Sequence, residues 1–168
     1  MIVTLGLLSA LTVVTLNMFL PSLNNIAREF GADYAVVNLS IAGYAAAAAV
    51  LQLIVGPASD RFGRRPVILV GLLVCMAASA GCILATDIGS FLLCRMLQAA
   101  IVAGYSVSMA VVRDTRAPKA AASLIGYMAM AWAIAPMLGP MLGGFLDETF
   151  GWRASFWAFL GLGAALFC

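Results

Sequence analysis

Charged residues in this sequence are separated by long apolar stretches that contain almost none. The 168-residue chain has only 16 of them, 9 basic and 7 acidic. A transmembrane helix needs about 20 apolar residues to cross a hydrocarbon core about 30 Å thick. Five of the apolar runs are long enough for this and a sixth is slightly short, so the pattern predicts an all-α integral membrane protein. The six predicted transmembrane helices lie at residues 2–23, 34–56, 66–86, 91–112, 121–146 and 152–168.

The composition excludes several other classes of protein. Hydrophobic residues make up 64% of the chain and charged residues 10%, whereas a soluble domain carries about 25% charged residues. The chain has no histidine, so by itself it can supply no histidine-activated nucleophile and no histidine-ligated metal. Cys75, Cys82, Cys94 and Cys168 lie in apolar runs at spacings typical of neither a zinc nor a redox site. We expect no catalytic or metal site, no nucleic-acid partner at a net charge of +2, and a lipid bilayer as the surrounding solvent.

The basic residues of the loops predict the orientation of the chain in the membrane. Two loops on one side hold six of them: Arg61, Arg64, Arg65, Arg113, Arg116 and Lys119. The opposite side holds Arg28 and Arg153, so the positive-inside rule predicts that both termini are cytoplasmic. On the outer side, residues 24–30 predict one amphipathic helical turn at the interface, ended by Gly31.

The loop between the second and third predicted spans has the sequence GPASDRFGRRP, from Gly56 to Pro66. Gly56 and Pro57 are predicted to end one helix, and Gly63 permits a turn conformation. Pro66 can then occupy the first position of the next helix. A generic positive-inside loop accounts for the three arginines, but it does not account for Asp60 and two glycines at these offsets.

This loop resembles the loop motif of the major facilitator superfamily, of general form G-x-L-a-D-R-x-G-R-[KR]. Its form here is similar to that of the twelve-span bicyclomycin- and chloramphenicol-resistance type of drug:proton antiporters, with Ala58 where a leucine is usual. The resemblance implies a cytoplasmic latch in which Arg64 bridges Asp60 to Asp114 and Asp60 faces a helix of the other half. The implied latch residues are Gly56, Asp60, Arg61, Gly63, Arg64, Arg65 and Asp114.

The fourth predicted span contains Arg95 and Gln98, similar to the family's R-x-x-Q-G element, with Ala99 in place of the glycine. Residues three apart share a helix face. The chemistry of Arg95 leaves two interpretations open. An intramembrane arginine can mark a functional site, or, at about 6 Å inside the outer boundary, it can extend to the headgroups. The matching Gln98 favours a role near the translocation path.

The fifth predicted span carries small residues at four-residue intervals, which is typical of close helix packing. Its prolines are expected to bend the helix. The segment GPMLGG resembles the end of the superfamily's antiporter motif, and this implies a hinge that keeps the interface between two halves leak-tight. The implied hinge residues are Gly126, Gly139, Pro140, Gly143 and Gly144. A pure packing role is compatible with the same pattern.

Asn17 occupies the position of a common aspartate in a segment that resembles the family's D-M-x-x-P element. Asparagine cannot titrate, and all seven acids lie outside the interior of the predicted spans. The coupling carboxylate therefore lies elsewhere in a longer protein, or the transporter couples differently. With Arg95 and Gln98, we expect Asn17 near the substrate or coupling pathway, together with Tyr44, Tyr105 and Tyr127. Helix packing is the alternative role for each of these polar residues.

The resemblance implies that residues 1–168 form one bundle of two inverted three-helix repeats, the amino-terminal half of a twelve-helix transporter. The sequence ends within its short sixth span, and we expect the remaining six-helix half as its partner. The implied function is proton-coupled efflux of small lipophilic compounds across a bacterial inner membrane, with the proton gradient as energy source and no cofactor. A facilitator or importer without proton coupling, and a non-transporting six-span scaffold or regulator, stay open as alternatives. An intramembrane protease would need a serine–histidine pair or two membrane aspartates, and the chain has neither.

Overall fold

The computed structural model describes residues 2–115 and 117–167, which form eight α-helices and two short 3₁₀ turns. The helices are α1 (Ile2–Asn17), α2 (Leu23–Phe30), α3 (Tyr34–Phe62), α4 (Arg64–Leu84), α5 (Ile88–Gln98), α6 (Val102–Thr115), α7 (Pro118–Phe150) and α8 (Arg153–Phe167). The 3₁₀ turns are Leu20–Ser22 and Ala99–Ile101. Met1, Arg116 and Cys168 lie outside the described residues. The sequence places Arg116 in a basic loop and Cys168 in the sixth span.

Helices overlap all six predicted spans. Five segments are long and apolar enough to cross a membrane: Gly6–Phe30, Tyr34–Phe62, Arg64–Leu84, Ile88–Asp114 and Pro118–Phe150. The sixth, α8, has 15 residues and is apolar but shorter. The prediction of an all-α membrane protein is therefore confirmed.

The first span is divided where the chain approaches the membrane surface. Helix α1 ends at Asn17, and a 3₁₀ turn that contains Pro21 leads into α2. Helix α2 ends at Gly31, whose φ of 58° lies in the left-handed region that glycine adopts without strain. The predicted amphipathic turn before Gly31 is confirmed, and it forms a helix of 8 residues.

The prediction that Gly56 and Pro57 end the second span is wrong. Helix α3 continues through Pro57 to Phe62, and the Ser59 hydroxyl donates to the Gly56 carbonyl (2.8 Å). Serine side chains and local adjustments allow proline inside a membrane helix. The chain reverses at Gly63 (φ 90°), and α4 begins at Arg64, so Pro66 is the third residue of α4 rather than the first.

Two other spans differ from the predictions, one in continuity and one in length. The fourth is interrupted by the 3₁₀ turn Ala99–Ile101, which separates α5 from α6. The fifth is longer than predicted, because α7 runs for 33 residues and stays α-helical through Pro136 and Pro140. It stops where Gly151 adopts a φ of 80°.

The helices pack as two related sets. Helix α1 packs most extensively on α7, and α4 packs on α8. The fourth span consists of α5 and α6, and both pack on α3, which is the second span. The first span therefore pairs with the fifth, and the fourth pairs with the second. This exchange of partners is what two three-helix repeats produce.

The two ends of the bundle differ in composition, and we name them by that difference. The aromatic end consists of α2 and the chain reversals between α4 and α5 and between α7 and α8. Its buried cluster includes Phe19, Phe91, Trp152, Phe156 and Phe159. The arginine end is the opposite end, with the reversal at Gly63 and the end of α6. Its described basic residues are Arg61, Arg64, Arg65, Arg113 and Lys119.

Candidate functional site

Arg95 on α5 is a charged residue with no exposed surface (0%). Its Nη1 and Nη2 atoms each lie 3.4 Å from the Thr15 carbonyl oxygen of α1, and Nη1 also donates to Oε1 of Gln98. The Gln98 amide in turn donates to the Ser79 hydroxyl of α4 (2.7 Å). The headgroup interpretation of Arg95 is therefore wrong, because its guanidinium ends on the backbone of α1 inside the bundle. Arg95 and Gln98 together thus link α5 to α1 and α4.

Aromatic rings surround the same guanidinium. Its central carbon lies 3.8 Å from the centre of the Phe19 ring, 5.3 Å from that of Tyr44 and 5.8 Å from that of Phe156. Such contacts contribute about 2 kcal/mol each when they are desolvated. In the part of the chain that the structure describes, no carboxylate forms an ion pair with Arg95. The positive charge is thus stabilised by dipoles and rings rather than by a counter-charge.

Two polar atoms of this site have no hydrogen-bond partner among the described residues: Nε of Arg95 and the Tyr44 hydroxyl. The site therefore retains capacity for further hydrogen bonds. Across residues 2–115 and 117–167, no group of three or more His, Cys, Asp or Glu side chains is placed to hold a metal ion.

Asn17 lies where α1 meets α7, two residues from the carbonyl that accepts from Arg95. Its side-chain amide donates to the Val13 carbonyl of its own helix (2.8 Å). On the facing helix, a Cβ added at Gly139 would lie 3.1 Å from the Cβ of Asn17. A Cβ at Gly143 would lie 1.6 Å from the carbonyl oxygen of Met18. These two glycines therefore set how closely α1 and α7 approach.

The other predicted hinge residues differ from these two. A Cβ at Gly126 would meet nothing within 4 Å, and one at Gly144 would be in ordinary contact with Pro21. Pro140 is half-buried within α7. Of the four hinge glycines, only Gly139 and Gly143 lie so close to α1 that an added Cβ would be crowded.

The three candidate tyrosines do not come together. Tyr44 lies against Arg95, as described above. Tyr105 on α6 is half-buried and stacks on Trp132 of α7, with the ring centres 4.7 Å apart. Tyr127 is 67% exposed on the outside of α7. The structure places only Tyr44 with Arg95 and Gln98.

The latch residues are partly assembled at the arginine end. Arg64 at the start of α4 forms an ion pair with Asp114 near the end of α6. Asp60 is exposed on the last turn of α3 and makes no ion pair within residues 2–115 and 117–167. The bridge implied from Asp60 through Arg64 to Asp114 is therefore formed on one side only. Gly56 takes no part in the turn, because it lies inside α3 with open space around it.

The remaining two latch arginines are on the surface. Arg61 lies beside the ring of Phe62, with its guanidinium carbon 5.5 Å from the ring centre. Arg65 is exposed at the start of α4. The positive φ of Gly63 between them makes the tight reversal possible.

Comparison with known proteins identifies the family. A sequence profile of the Major Facilitator Superfamily matches residues 5–168. The chain belongs to this superfamily.

Several bacterial members of the superfamily are similar to the chain. It is 39% identical over 150 residues to a chloramphenicol resistance protein of Pseudomonas aeruginosa, covering 88% of this chain and 36% of that protein. It is 31% identical over 167 residues to a bicyclomycin resistance protein homolog of Haemophilus influenzae, covering 98% and 42%. It is 30% identical over 156 residues to the multidrug resistance protein MdtM of Salmonella typhimurium, covering 92% and 38%. The chain thus spans about two fifths of the length of these relatives.

A solved superfamily structure has the same fold. The crystal structure of the human organic anion transporter MFSD10 (TETRAN) superposes with a TM-score of 0.72 at 26% sequence identity. The match covers 99% of this chain and 46% of the transporter. The helices described here therefore correspond to slightly less than half of a known major facilitator structure.

A polar network at the aromatic end of this major facilitator chain was not expected from the sequence. Glu29 on α2 accepts from the Trp152 indole nitrogen (2.5 Å) and from Nη1 of Arg153 (2.5 Å). Nε of Arg153 donates to the Ile83 carbonyl at the end of α4 (3.1 Å). Trp152 and Arg153 thus donate to the two oxygens of one carboxylate. The sequence signal was weak: an acid in an amphipathic turn, 124 residues from its basic partner.

Proposed function

We propose that this chain is the amino-terminal six-helix half of a twelve-helix secondary transporter, and that the whole protein exports small lipophilic compounds in exchange for protons. The observation that carries the proposal is the fully buried Arg95 within a bundle of membrane-length helices. A charge in the membrane interior is costly, and its default interpretation is a functional site. The resistance proteins to which the chain is similar support lipophilic antibiotics as the substrate class.

In this proposal Arg95 and Gln98 lie near the substrate pathway and also transmit movement between helices. Their contacts join α5 to α1 and α4. Asn17 continues the same path, because it lies between the Arg95 contact on α1 and the close approach of α7 at Gly139. Tyr44, and further along the bundle Tyr105 and Tyr127, would contribute aromatic surface to substrate.

The second half of the transporter would cover apolar surface that this chain leaves exposed. Helix α7 is largely unburied, with Tyr127, Met137 and Met141 exposed at 67%, 76% and 74%. Transporters of this type place two bundles around a midplane site. Gly126, beside which an added Cβ would meet nothing within 4 Å, and the half-buried Pro140 and Gly144 would then pack against the other half.

The arginine end would face the cytoplasm, with both chain termini on that side of a bacterial inner membrane. The basic residues concentrated at that end support this orientation. The Arg64–Asp114 ion pair would be the part of the latch supplied by this half, and the exposed Asp60 would be free to face a helix of the other half. Latching and release would thus take place on the cytoplasmic side.

A facilitator without proton coupling through this half is the second candidate function. It is favoured by Asn17, which cannot titrate, and by the position of all seven acids near helix ends or in loops. In that case substrate would still cross, but its movement would be insensitive to a pH gradient.

Vesicles that contain the full-length transporter test the proposal. We expect chloramphenicol to accumulate against its gradient when a pH gradient is imposed, and its addition to drive proton movement. Arg95→Lys should lower the initial rate about tenfold, because an ammonium cannot reproduce the planar donors and ring stacking of a guanidinium. The matched control is Arg28→Lys on exposed α2, which should leave the rate unchanged.

Substrate movement that persists without any dependence on pH would replace the antiport proposal with the facilitator. Absence of movement for chloramphenicol, bicyclomycin and lipophilic cations alike would reject transport by this protein and favour a scaffold.

A further inference from the structure

An apolar groove of about 960 Å³ runs along the outside of the bundle. Helices α3 and α4 form its walls, and α5 with the following 3₁₀ turn forms its floor. The groove exists because α3 and α4 each pack more extensively on α5 than on each other. Small wall residues keep it open, among them Gly43, Ala46 and Ala47 on α3.

The groove is separate from the Arg95 site. Its floor is formed by Leu93, Met96 and Leu97, which are exposed on α5, whereas Arg95 and Gln98 of the same helix are fully buried towards α1 and α4. An occupant of the groove would therefore contact a different face of α5.

The lining of the groove selects for hydrocarbon. Every lining residue is aliphatic, aromatic, proline, methionine or glycine. Water and polar ligands need hydrogen-bond partners, which such a surface lacks. An alkyl chain has no hydrogen bonds to lose by entering it.

The groove reaches the arginine end, where its apolar lining gives way to charged side chains. Phe62 at the end of α3 and Pro66 at the start of α4 are its last lining residues. Arg61 directly precedes Phe62 and Arg65 directly precedes Pro66 in the sequence; both are exposed, and neither forms an ion pair within residues 2–115 and 117–167. Arg64 is already paired with Asp114. Two uncompensated guanidinium groups thus lie at the mouth of an apolar groove.

We propose that the groove binds one anionic phospholipid, with an acyl chain between α3 and α4 and the phosphate paired with Arg61 and Arg65. The lining on α3 extends from Phe62 back to Gly43, a rise of about 28 Å that nearly equals a hydrocarbon core of about 30 Å. An acyl chain anchored at the arginine end would fill the half of the groove from Phe62 to Val50, which rises about 18 Å. Basic side chains at the membrane surface attract anionic headgroups. The lipid would hold α3 to α4 beside the Arg64–Asp114 ion pair. This inference does not depend on the proposed transport activity.

Native mass spectrometry of the full-length protein, titrated with phosphatidylglycerol or with phosphatidylcholine, tests the proposal. We expect one phosphatidylglycerol to bind with higher affinity than phosphatidylcholine. Each arginine should contribute about fivefold in affinity, so Arg61→Gln together with Arg65→Gln should weaken the binding of phosphatidylglycerol roughly 25-fold. The matched control, Arg113→Gln with Lys119→Gln, removes the same charge from the same end of the bundle. It should change the affinity for phosphatidylglycerol by less than about twofold.

A second pair of variants tests the acyl chain. Val50→Phe narrows the groove from an exposed lining position within this half, and it should weaken the binding of both lipids. Ala49→Phe, also exposed on α3 but outside the lining, is its control.

Three results would overturn the proposal. The first is equal affinity for the two lipids. The second is an equal loss on removing the control charges, which would mean that the basic end attracts lipid without a defined site. The third is a cross-link from residue 50 to a helix outside residues 1–168 of the full-length protein, which would show that protein occupies this half of the groove.

Discussion

The two ends of the bundle are held together by different kinds of contact. At the aromatic end, neighbouring rings lie 5.7–6.5 Å apart from centre to centre. The rings belong to Phe19, Phe30, Phe91, Trp152, Phe156 and Phe159. The Glu29–Trp152–Arg153 network covers this cluster on its outer side and fastens α2 to the start of α8.

The arginine end has two smaller apolar clusters and a single described ion pair. One cluster contains Val55, Ala103 and Val107, and the other, between α6 and α7, contains Val112, Ala121 and Met128. The side chains of Arg64 and Asp114 are 30% and 59% exposed. Exposed ion pairs contribute about 0–1 kcal/mol and are screened by salt, whereas burial of aromatic rings is not. We therefore expect the aromatic end to stay closed under conditions in which the arginine end separates.

The largest effect should come from removing an aromatic ring. Phe91 has 0% exposure and contacts the rings of Phe30, Trp152 and Phe156. Phe91→Ala should lower the free energy of unfolding of the full-length protein by about 3–5 kcal/mol, measured by chemical denaturation in detergent micelles. Phe62→Ala at the arginine end, where the ring is 67% exposed, should change it by less than about 0.5 kcal/mol. Equal losses would remove the distinction between the two ends.

The next effect should come from the contact of α1 with α7. Because a Cβ at Gly143 would overlap the Met18 carbonyl, Gly143→Ala should destabilise the protein by about 1–3 kcal/mol. Gly126→Ala on the same helix meets nothing, and it should be neutral or slightly stabilising because alanine favours helix. The same denaturation experiment compares the two variants, and a tolerated Gly143→Ala would show that α1 and α7 are farther apart than described.

The latch ion pair should have a smaller, salt-dependent effect. Asp114→Asn should lower the free energy of unfolding by about 0.5 kcal/mol in low salt, and by less at high ionic strength. Thermal unfolding at two salt concentrations measures this. A loss that is unchanged by salt would mean that Arg64 and Asp114 are shielded from solvent.

The smallest effect should come from the charge of Glu29 at the aromatic end. Glu29→Gln keeps the shape of the side chain but removes the negative charge that faces Arg153. Because the side chains of Arg153 and Glu29 are 38% and 42% exposed, the free energy of unfolding should fall by less than about 0.5 kcal/mol. Chemical denaturation in detergent micelles measures this, with Asp33→Asn as the control. A loss above about 1 kcal/mol would mean that this ion pair is shielded from solvent.

The sequence predicted the spans better than the details of their ends. Apolar runs between charges located six helices, because lipid leaves the backbone few other conformations. The helix boundary at Gly56 and Pro57 was misplaced, since proline usually ends helices in water. Within a membrane bundle, α3 instead continued to Gly63, where a positive φ ends it.

Local spacing likewise located parts of the candidate site but not its assembly. The spacing of Arg95 and Gln98 predicted that they share a face, and they form a hydrogen bond. The contacts with Thr15, Phe19 and Ser79 join segments far apart in sequence, and no local pattern specifies them. Tyr44 and Tyr127 are both polar residues within apolar spans, and the sequence therefore predicts both near the substrate pathway. In the structure Tyr44 is buried against Arg95, whereas Tyr127 is exposed on α7.

Hydrogen–deuterium exchange of the full-length protein, with and without Asp114→Asn, tests most directly whether the two ends open independently. We predict that breaking the Arg64–Asp114 ion pair increases exchange in residues 57–66 and 110–115. Protection of residues 19–31, 88–92 and 151–157 at the aromatic end should be unchanged. Faster exchange at both ends together, or at the aromatic end alone, would contradict this account.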